Sequence, residues 1–381
     1  MSNLPRVLVA HNRYRVAGGE ERAVEAQLAA LARAGVPHTA LIRDSAGAGR
    51  ARAARALLAG GERPELVARA VRELGATVLH AHNMHPLIGP RALRAAREAG
   101  ARVVLHLHNF RLFCAIGVAF RDGAPCFRCR GRQTLPGLVL NCRGSVPEAA
   151  IYAAALAAHQ PEVLACVDRF VTPSDYAAGR LARLGVPAAR LSVLPHYLPA
   201  DAVGERSRAD RGEFALVSAR LAPEKGIAAA IEAAAIAGVA LKVTGAGPLE
   251  QELRALAERL HAPVEFLGRV EPRALAALRA RAAMAVVPSL SGETFGLAAL
   301  EAMGAGLAVV ATDAGALPEI VGPERVVERG DVAALATAID TLWRDPQRRR
   351  AEGDWGIARA RERYGEERYV SDLLGLYRAL G

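Results

Sequence analysis

Met284-Ala-Val-Val287-Pro288-Ser-Leu-Ser-Gly-Glu293-Thr294-Phe295-Gly296-Leu297-Ala-Ala-Leu-Glu301-Ala-Met303-Gly-Ala-Gly306-Leu307-Ala-Val-Val-Ala311 is the stretch on which the reading of this chain turns. A short apolar run, Met284–Val287, leads into a glycine-bearing loop. A helix-like segment, Gly296–Met303, follows, and then a second apolar run, Leu307–Ala311. Strand, loop, helix and strand in this order make a parallel crossover unit. Glu293 falls in the loop at the carboxyl end of the first strand. The helix opens at Gly296, so the free N–H groups near Phe295–Leu297 form an anion site. Glu301 lies about two helical turns after Glu293 and can face the same side. A carboxylate there can take both hydroxyls of a ribose, as acidic residues do in doubly wound nucleotide sites. The alternative is two surface glutamates on an amphipathic helix. Against it, Glu301 sits among Ala, Leu and Met, and a buried carboxylate needs partners.

The same rhythm extends outward in both directions. Phe214–Ser218, Leu241–Thr244 and Val264–Leu267 precede it as strands separated by alanine-rich helices. In the first half Val7–Ala10, Thr39–Ile42, Thr77–His80, Val103–His106 and Phe170–Thr172 are short and apolar. After Val7–Ala10 a helix runs from about Glu20 to Ala34, with Val24, Leu28 and Leu31 at helical spacing. The pattern restarts after Leu194-Pro-His-Tyr-Leu-Pro199 and the polar stretch 201–213. The fold class expected is therefore α/β: two doubly wound, Rossmann-like parallel-sheet domains, residues 1–200 and 201–381, a size that suits 381 residues. From Val332 onward the chain reads as helices with Leu335, Ile339, Leu342, Leu373, Leu374, Leu376 and Tyr377, the last of them packing back toward the first domain. Ligands of such sheets bind beyond the strand carboxyl ends. With two domains, the expected place is the cleft between them.

Composition excludes several classes. Hydrophobic residues make up 52% of the chain, which argues against disorder. No apolar run reaches the ~20 residues of a spanning helix; the longest, near Ala149–Ala165, is interrupted by His159, Gln160, Pro161 and Glu162. The first residues lack the charged and apolar regions of a signal peptide, so a cytoplasmic location is expected. The net charge of +10 is uneven: residues 1–200 carry 26 Arg and 13 acidic residues (+13), the rest 23 basic and 26 acidic (−3). The basic half suits an anionic partner, or reflects drift in an arginine-rich chain.

Ser218-Ala-Arg220-Leu-Ala-Pro-Glu-Lys225-Gly226 follows a strand and places two cations five residues apart. A departing pyrophosphate needs neutralising charge. No Asp-x-Asp pair occurs to cradle a metal-bound diphosphate, so fixed cations are expected to serve and no catalytic metal is expected. Lys225 is one of only two lysines, which suggests that a compact ammonium is wanted there. Val243-Thr244-Gly245-Ala-Gly247-Pro-Leu249 is a further glycine turn that lets backbone approach a ring or phosphate, or merely connects.

Taken together, Arg220-x4-Lys225, Thr244-Gly-x-Gly-Pro248, Glu293-x7-Glu301 and Thr312-Asp-Ala-Gly-Ala-Leu-Pro-Glu319 resemble the donor-binding half of retaining GT-B glycosyltransferases of family 4. The resemblance implies that Arg220 and Lys225 hold the diphosphate of a UDP- or GDP-sugar and that Glu301 holds the ribose. It sets Glu293, Thr294 and the Phe295–Leu297 amides against the sugar and distal phosphate. Ser218 stands where the family usually has Gly, and Thr294 is often Gly. Gly18-Gly19-Glu20 resembles the family's N-terminal glycine loop, near the transferring phosphate and the acceptor. Leu107-His108-Asn109-Phe110-Arg111 resembles a subgroup in which the histidine contacts the donor sugar, which makes His108 a candidate.

His80, His82, His106 and His108 pair across neighbouring strands and invite a metal reading, although no carboxylate accompanies them. Cys114, Cys126, Cys129 and Cys142, with Cys126-x2-Cys129, resemble a structural zinc loop in a basic insertion of about residues 111–145; the alternative is four loop or core thiols. Arg111, Arg121, Arg128, Arg130, Arg132 and Arg143, with Leu135, Leu138, Val139 and Leu140 among them, suit an anionic acceptor or the inner face of a membrane. The function expected is transfer of a sugar, with retention of configuration, to a glycan, lipid-linked or small-molecule acceptor in polysaccharide or cell-envelope synthesis. A GT-B nucleotide-sugar epimerase or hydrolase is the alternative among enzymes. The alternative from another class is a basic nucleic-acid-binding protein, against which stands an aromatic content of 4% with few stacking platforms.

Overall fold

The computed structural model describes residues 4–15, 18–199 and 206–381. The first half holds β1 (Val7–Arg13), α1 (Gly19–Arg33), β2 (His38–Asp44), α2 (Arg50–Ala59), α3 (Pro64–Leu74), β3 (Val78–Ala81), α4 (Gly89–Glu98) and β4 (Arg102–His106). A small hairpin, β5 (Phe120–Arg121) and β6 (Ala124–Pro125), precedes α5 (Leu135–Val139), α6 (Val146–Cys166), β7 (Arg169–Thr172), α7 (Asp175–Leu184) and β8 (Leu191–Val193). The second half runs β9 (Ala215–Ser218), α8 (Ile227–Ala237), β10 (Leu241–Thr244), α9 (Glu250–Arg259), β11 (Val264–Gly268), α10 (Pro272–Arg281) and β12 (Met284–Val287). It continues with α11 (Leu297–Gly304), β13 (Ala308–Thr312), α12 (Leu317–Val321), β14 (Val326–Val327), α13 (Val332–Arg344), α14 (Pro346–Tyr364) and α15 (Glu366–Arg378).

The strands form two all-parallel sheets, ordered β2-β1-β3-β4-β7-β8 and β11-β10-β9-β12-β13-β14. The expected pair of Rossmann-like domains is what the chain builds. Their cores are made by residues that alternate strand and helix faces. Leu8, Leu79, Leu105 and Phe170 lie under α3 and α4 in the first, and Val217, Val243, Val286 and Ile231 in the second. Full burial of a side chain such as Phe170 contributes about 1.5–3 kcal/mol.

The chain divides into two compact units, residues 196–366 forming the bulk of the second and residues 367–381 folding with the first. The boundary expected between residues 200 and 201 lies outside the described residues. Helix α15 is tied to the first sheet by buried polar groups. Tyr369 donates to Gln27 Oε1 at 3.0 Å, Gln27 donates to the Tyr377 hydroxyl at 3.4 Å, and that hydroxyl meets His80 Nδ1 at 2.7 Å.

One local reading needs correction, and two features were not read. Strand β1 continues three residues beyond Ala10 because Asn12, though polar, is satisfied in the interior. Its amide donates to Ser45 Oγ at 2.6 Å and its Oδ1 accepts from Leu87 N at 3.2 Å. The edge strands β8 and β14 are three and two residues long, too short for periodicity to register. Helix α6 runs through Pro161 without ending there. Among the described residues, no helix is long and apolar enough to cross a membrane.

Candidate active site

Each sheet has one point where strand order reverses, between β9 and β12 in the second unit and between β1 and β3 in the first. Loops leaving such neighbouring strands diverge to opposite faces and leave a crevice at their carboxyl ends. In the second unit those two loops carry Arg220, Lys225 and Glu293. The β9 loop turns through Pro223–Lys225 and reaches Gly226 at φ +63°. A Cβ on Gly226 would lie 2.0 Å from the Pro288 carbonyl oxygen, so the two loops lie directly on one another. The Glu224 carbonyl accepts from the amides of Leu290 and Ser291 at 2.9 and 3.2 Å, which locks the pair.

This docking brings Lys225 Nζ to 2.5 Å from Glu293 Oε1, which also accepts from Ser289 Oγ at 2.7 Å. Burial alone would raise the Glu293 carboxyl. Lys225 foremost, then Ser289 and Arg220, outweigh it and hold the group below the usual carboxylate range. Arg220 pairs with the buried carboxylate of Glu224 while its own side chain stays 52% exposed. Two cations and an ionised carboxylate therefore stand together before any ligand binds. The loop after β13 supports them: Ala316 N donates to the Glu293 carbonyl at 2.8 Å, and a Cβ on Gly315 would lie 2.2 Å from that oxygen.

Glu301 lies on α11 and is buried as expected, with Arg279 of α10 as its ion-pair partner. Gly296 caps α11 at φ +110°, and a Cβ there would meet Leu317 Cδ2 at 2.7 Å. The amides of Leu297 and its successor open the helix and have no intrahelical acceptor. Thr294 is half-buried in the preceding loop. The Phe295 side chain points into the core, edge-on to His196 and Tyr364 at 5.0 and 5.6 Å. Only its backbone can serve a ligand.

The Gly245-Ala-Gly247 turn packs directly on the β9 loop. A Cβ on Gly245 would lie 1.9 Å from the Ala219 carbonyl oxygen, and one on Gly247 2.2 Å from that of Leu221. These residues are small because the β9 loop packs on them, whatever else approaches. Ser218 accepts a hydrogen bond from Thr244 at 3.0 Å.

In the first unit Gly18 is extended, at φ −143°, and a Cβ there would meet nothing closer than Glu21 Oε2 at 3.8 Å. Among the described residues, nothing crowds a side chain at this position. Gly19 opens α1. Glu21 closes the loop, accepting from Gly18 N at 2.7 Å and Tyr14 N at 2.9 Å. Burial opposes its charge, but His11 and these amides bring its carboxyl down to about 2. Glu20 Oε2 accepts from the Tyr14 hydroxyl at 2.8 Å and the Asn109 amide at 3.0 Å. Burial pushes its carboxyl up to about 7, against the pull of Tyr14, His11 and Arg111.

The four histidines make one stacked column at the ends of β3 and β4. His82 Nδ1 and His108 Nε2 are 2.8 Å apart, and the rings of His106 and His108 stack at 4.1 Å. His80 is buried and held neutral, its imidazole drawn down to about 3 by desolvation. It bridges Tyr377 to His106 Nδ1, 3.4 Å away. Nitrogens of His80, His82 and His106 lie within 4.8 Å of one another.

The cysteines are free thiols. Among the described residues, groups of three or more prospective metal ligands within 4.8 Å are built from histidines, none from cysteines. Burial raises the Cys114 thiol above its ordinary range.

Sequence reasoning missed Glu224, Ser289 and Arg279. Glu224 is four residues from Arg220, a spacing at which partners meet, and was legible. Arg279 carries no signal among so many arginines.

The fold is GT-B. The chain superposes on sucrose-phosphate synthase from Thermosynechococcus elongatus with a TM-score of 0.73 and 19% identity, over 98% of this chain and 99% of that one. HepE of Anabaena in complex with UDP gives 0.66 and 17%, over 98% and 100%. Residues 18–196 match the glycosyl transferase 4-like domain family, and residues 204–356 match the glycosyl transferases group 1 family. Each half of the chain thus matches a glycosyl transferase domain family. The MMP alpha-(1->4)-mannosyltransferase of Mycolicibacterium hassiacum is 41% identical over 107 residues, 27% of this chain and 26% of that protein. The matches span about a fifth to two fifths of the curated relatives' own length.

Proposed function

We propose that this protein transfers a sugar from a UDP- or GDP-sugar to a hydroxyl of a glycan or lipid-linked acceptor, with retention of configuration and without a catalytic metal. The observation that carries the proposal is the group of Lys225, Arg220, Glu293 and Ser289 at the switch point of the second sheet. The two cations and the Phe295–Leu297 amides would stabilise charge developing on the leaving diphosphate. Glu301 would take the ribose, Gly245 and Gly247 would line the nucleotide, and Gly18, Gly19 and His108 would face the sugar and its phosphate. Binding of UDP by HepE supports a nucleoside diphosphate as the ligand. Polysaccharide or envelope-glycan synthesis is the setting that the resemblance favours.

A ligand that binds only the native state raises Tm. Among UDP, GDP and their hexose conjugates, at least one nucleotide at 100 times its Kd is expected to stabilise the protein by about 2.7 kcal/mol. Finding that none shifts the melting curve would remove the proposal. Product formed from donor and water alone would instead favour the epimerase or hydrolase.

The acceptor is proposed to be reached at an anionic membrane surface. Leu135, Val139 and Val146 are 62%, 73% and 60% exposed, with Arg128, Arg130 and Arg132 also exposed nearby in the chain. Apolar groups set among arginines suit the headgroup boundary. The protein is expected to float with phosphatidylglycerol vesicles, and replacing the three arginines with glutamine is expected to abolish flotation. Flotation that the substitutions leave untouched counts against this docking.

A further inference from the structure

The motif His108-Asn109-Phe110-Arg111 has a role in the first unit that the donor site does not use. Asn109 Oδ1 accepts from Arg111 N at 2.8 Å, which fixes the side chain so that its amide points at Tyr14 and Glu20. The Arg111 guanidinium lies 5.1 Å over the Tyr14 ring. Two donors, from Tyr14 and Asn109, therefore converge on one oxygen of Glu20, Oε2. Its other oxygen, Oε1, receives no hydrogen bond from any described residue, and the residue is only half-buried. Glu21 takes the amides of Tyr14 and Gly18, so neither of these needs Glu20. A costly, half-buried carboxylate is thus held in one orientation with one acceptor atom unused.

We propose that Glu20 Oε1 is an acceptor-hydroxyl subsite, accepting a hydrogen bond from the sugar or polyol hydroxyl that receives the transferred sugar. The proposal rests on the sugar-transfer reading above and assigns a residue that the donor machinery does not include. Only the ionised carboxyl can do this. A proton would sit on Oε1, because Oε2 is already taken by two donors, and the group would then offer a hydrogen where an acceptor is needed. The groups facing Glu20 are Tyr14, His11, Asn109, Arg111 and Glu21. Burial raises the Tyr14 phenol far above its ordinary range, so it stays a donor throughout. With the Glu20 carboxyl near 7, hydroxyl binding is gained as pH rises through neutrality.

The test uses the full chain and the sugar nucleotide that raises Tm most. Nucleoside diphosphate release is followed with water and with octyl glucoside as hydroxyl donors. Glu20→Gln is expected to slow release about 10- to 100-fold, the weight of one hydrogen bond to a charged group. It should keep the nucleotide-induced Tm shift and lose the rise with pH near 7. Asn109→Ala, which frees the carboxyl to turn, should give a smaller loss and a displaced pH limb. Unchanged release in Glu20→Gln, or a pH limb that survives it, overturns the assignment. A wild-type protein that no sugar nucleotide stabilises fails the sugar-transfer reading instead, so the two failures are separable.

Discussion

Replacing Lys225 by alanine is expected to lower kcat and kcat/KM together by about 10²- to 10³-fold, the loss seen when one preorganised electrostatic donor is removed. The ammonium reaches Glu293 from a turn locked to the β12 loop, so its position is fixed before substrate arrives. Such a charge needs no reorganisation as the diphosphate departs. Lys225→Arg should recover little, because the planar fork cannot occupy the place of a compact ammonium on Glu293 Oε1. The sign on stability follows from Glu293. Its folded carboxyl lies below the ordinary value, so the pair stabilises above that value and the contribution fades as pH falls through the folded one. Lys225→Ala should therefore lose this acid-side dependence, and its stability near neutral pH should fall less than its turnover. Steady-state kinetics beside urea melts decide the matter: turnover equal to wild type would refute the role given to Lys225.

The second large effect concerns Glu301 and Arg279. Their side chains are 9% and 5% exposed and form an ion pair between α11 and α10. Removing one partner of a buried pair strands the other, at a cost of about 3–5 kcal/mol. Glu301→Ala should suffer this loss and, if Glu301 holds the ribose, should lose the nucleotide-induced Tm shift as well. Exchanging both, as Arg279→Met with Glu301→Leu, should restore most of the stability and none of the binding. Both tryptophans, Trp343 and Trp355, lie in the second unit, so their fluorescence reports unfolding of the relevant half. A double variant that binds nucleotide like the wild type would leave Glu301 with a structural role alone.

The alternation of apolar runs and helical segments was enough to read both sheets, because parallel strands buried on two faces leave a dense, short signature. Two of the four edge strands were not legible. Leu191–Val193 and Val326–Val327 are shorter than any window in which a period can register. Motif spacing named Arg220, Lys225, Glu293 and Glu301, but the partners that hold them were hidden. Ser289 and Arg279 meet their carboxylates through packing between separate elements, which no local pattern encodes. The glycines at 245 and 247 have a packing requirement that the motif did not reveal, since a neighbouring loop occupies the space a side chain would need. In the first unit Glu20 and Glu21 are neighbouring acids in the first turn of α1. Their surroundings separate them, one carboxyl falling to about 2 and the other rising to about 7.

Helix α15 completes the first sheet's unit through Tyr369 and Tyr377 although the whole second unit lies between them in the chain. On the ribosome, then, the second unit is synthesised before the first unit has all of its segments. Until residues 366–378 are made, His80 and Gln27 lack their tyrosine partners.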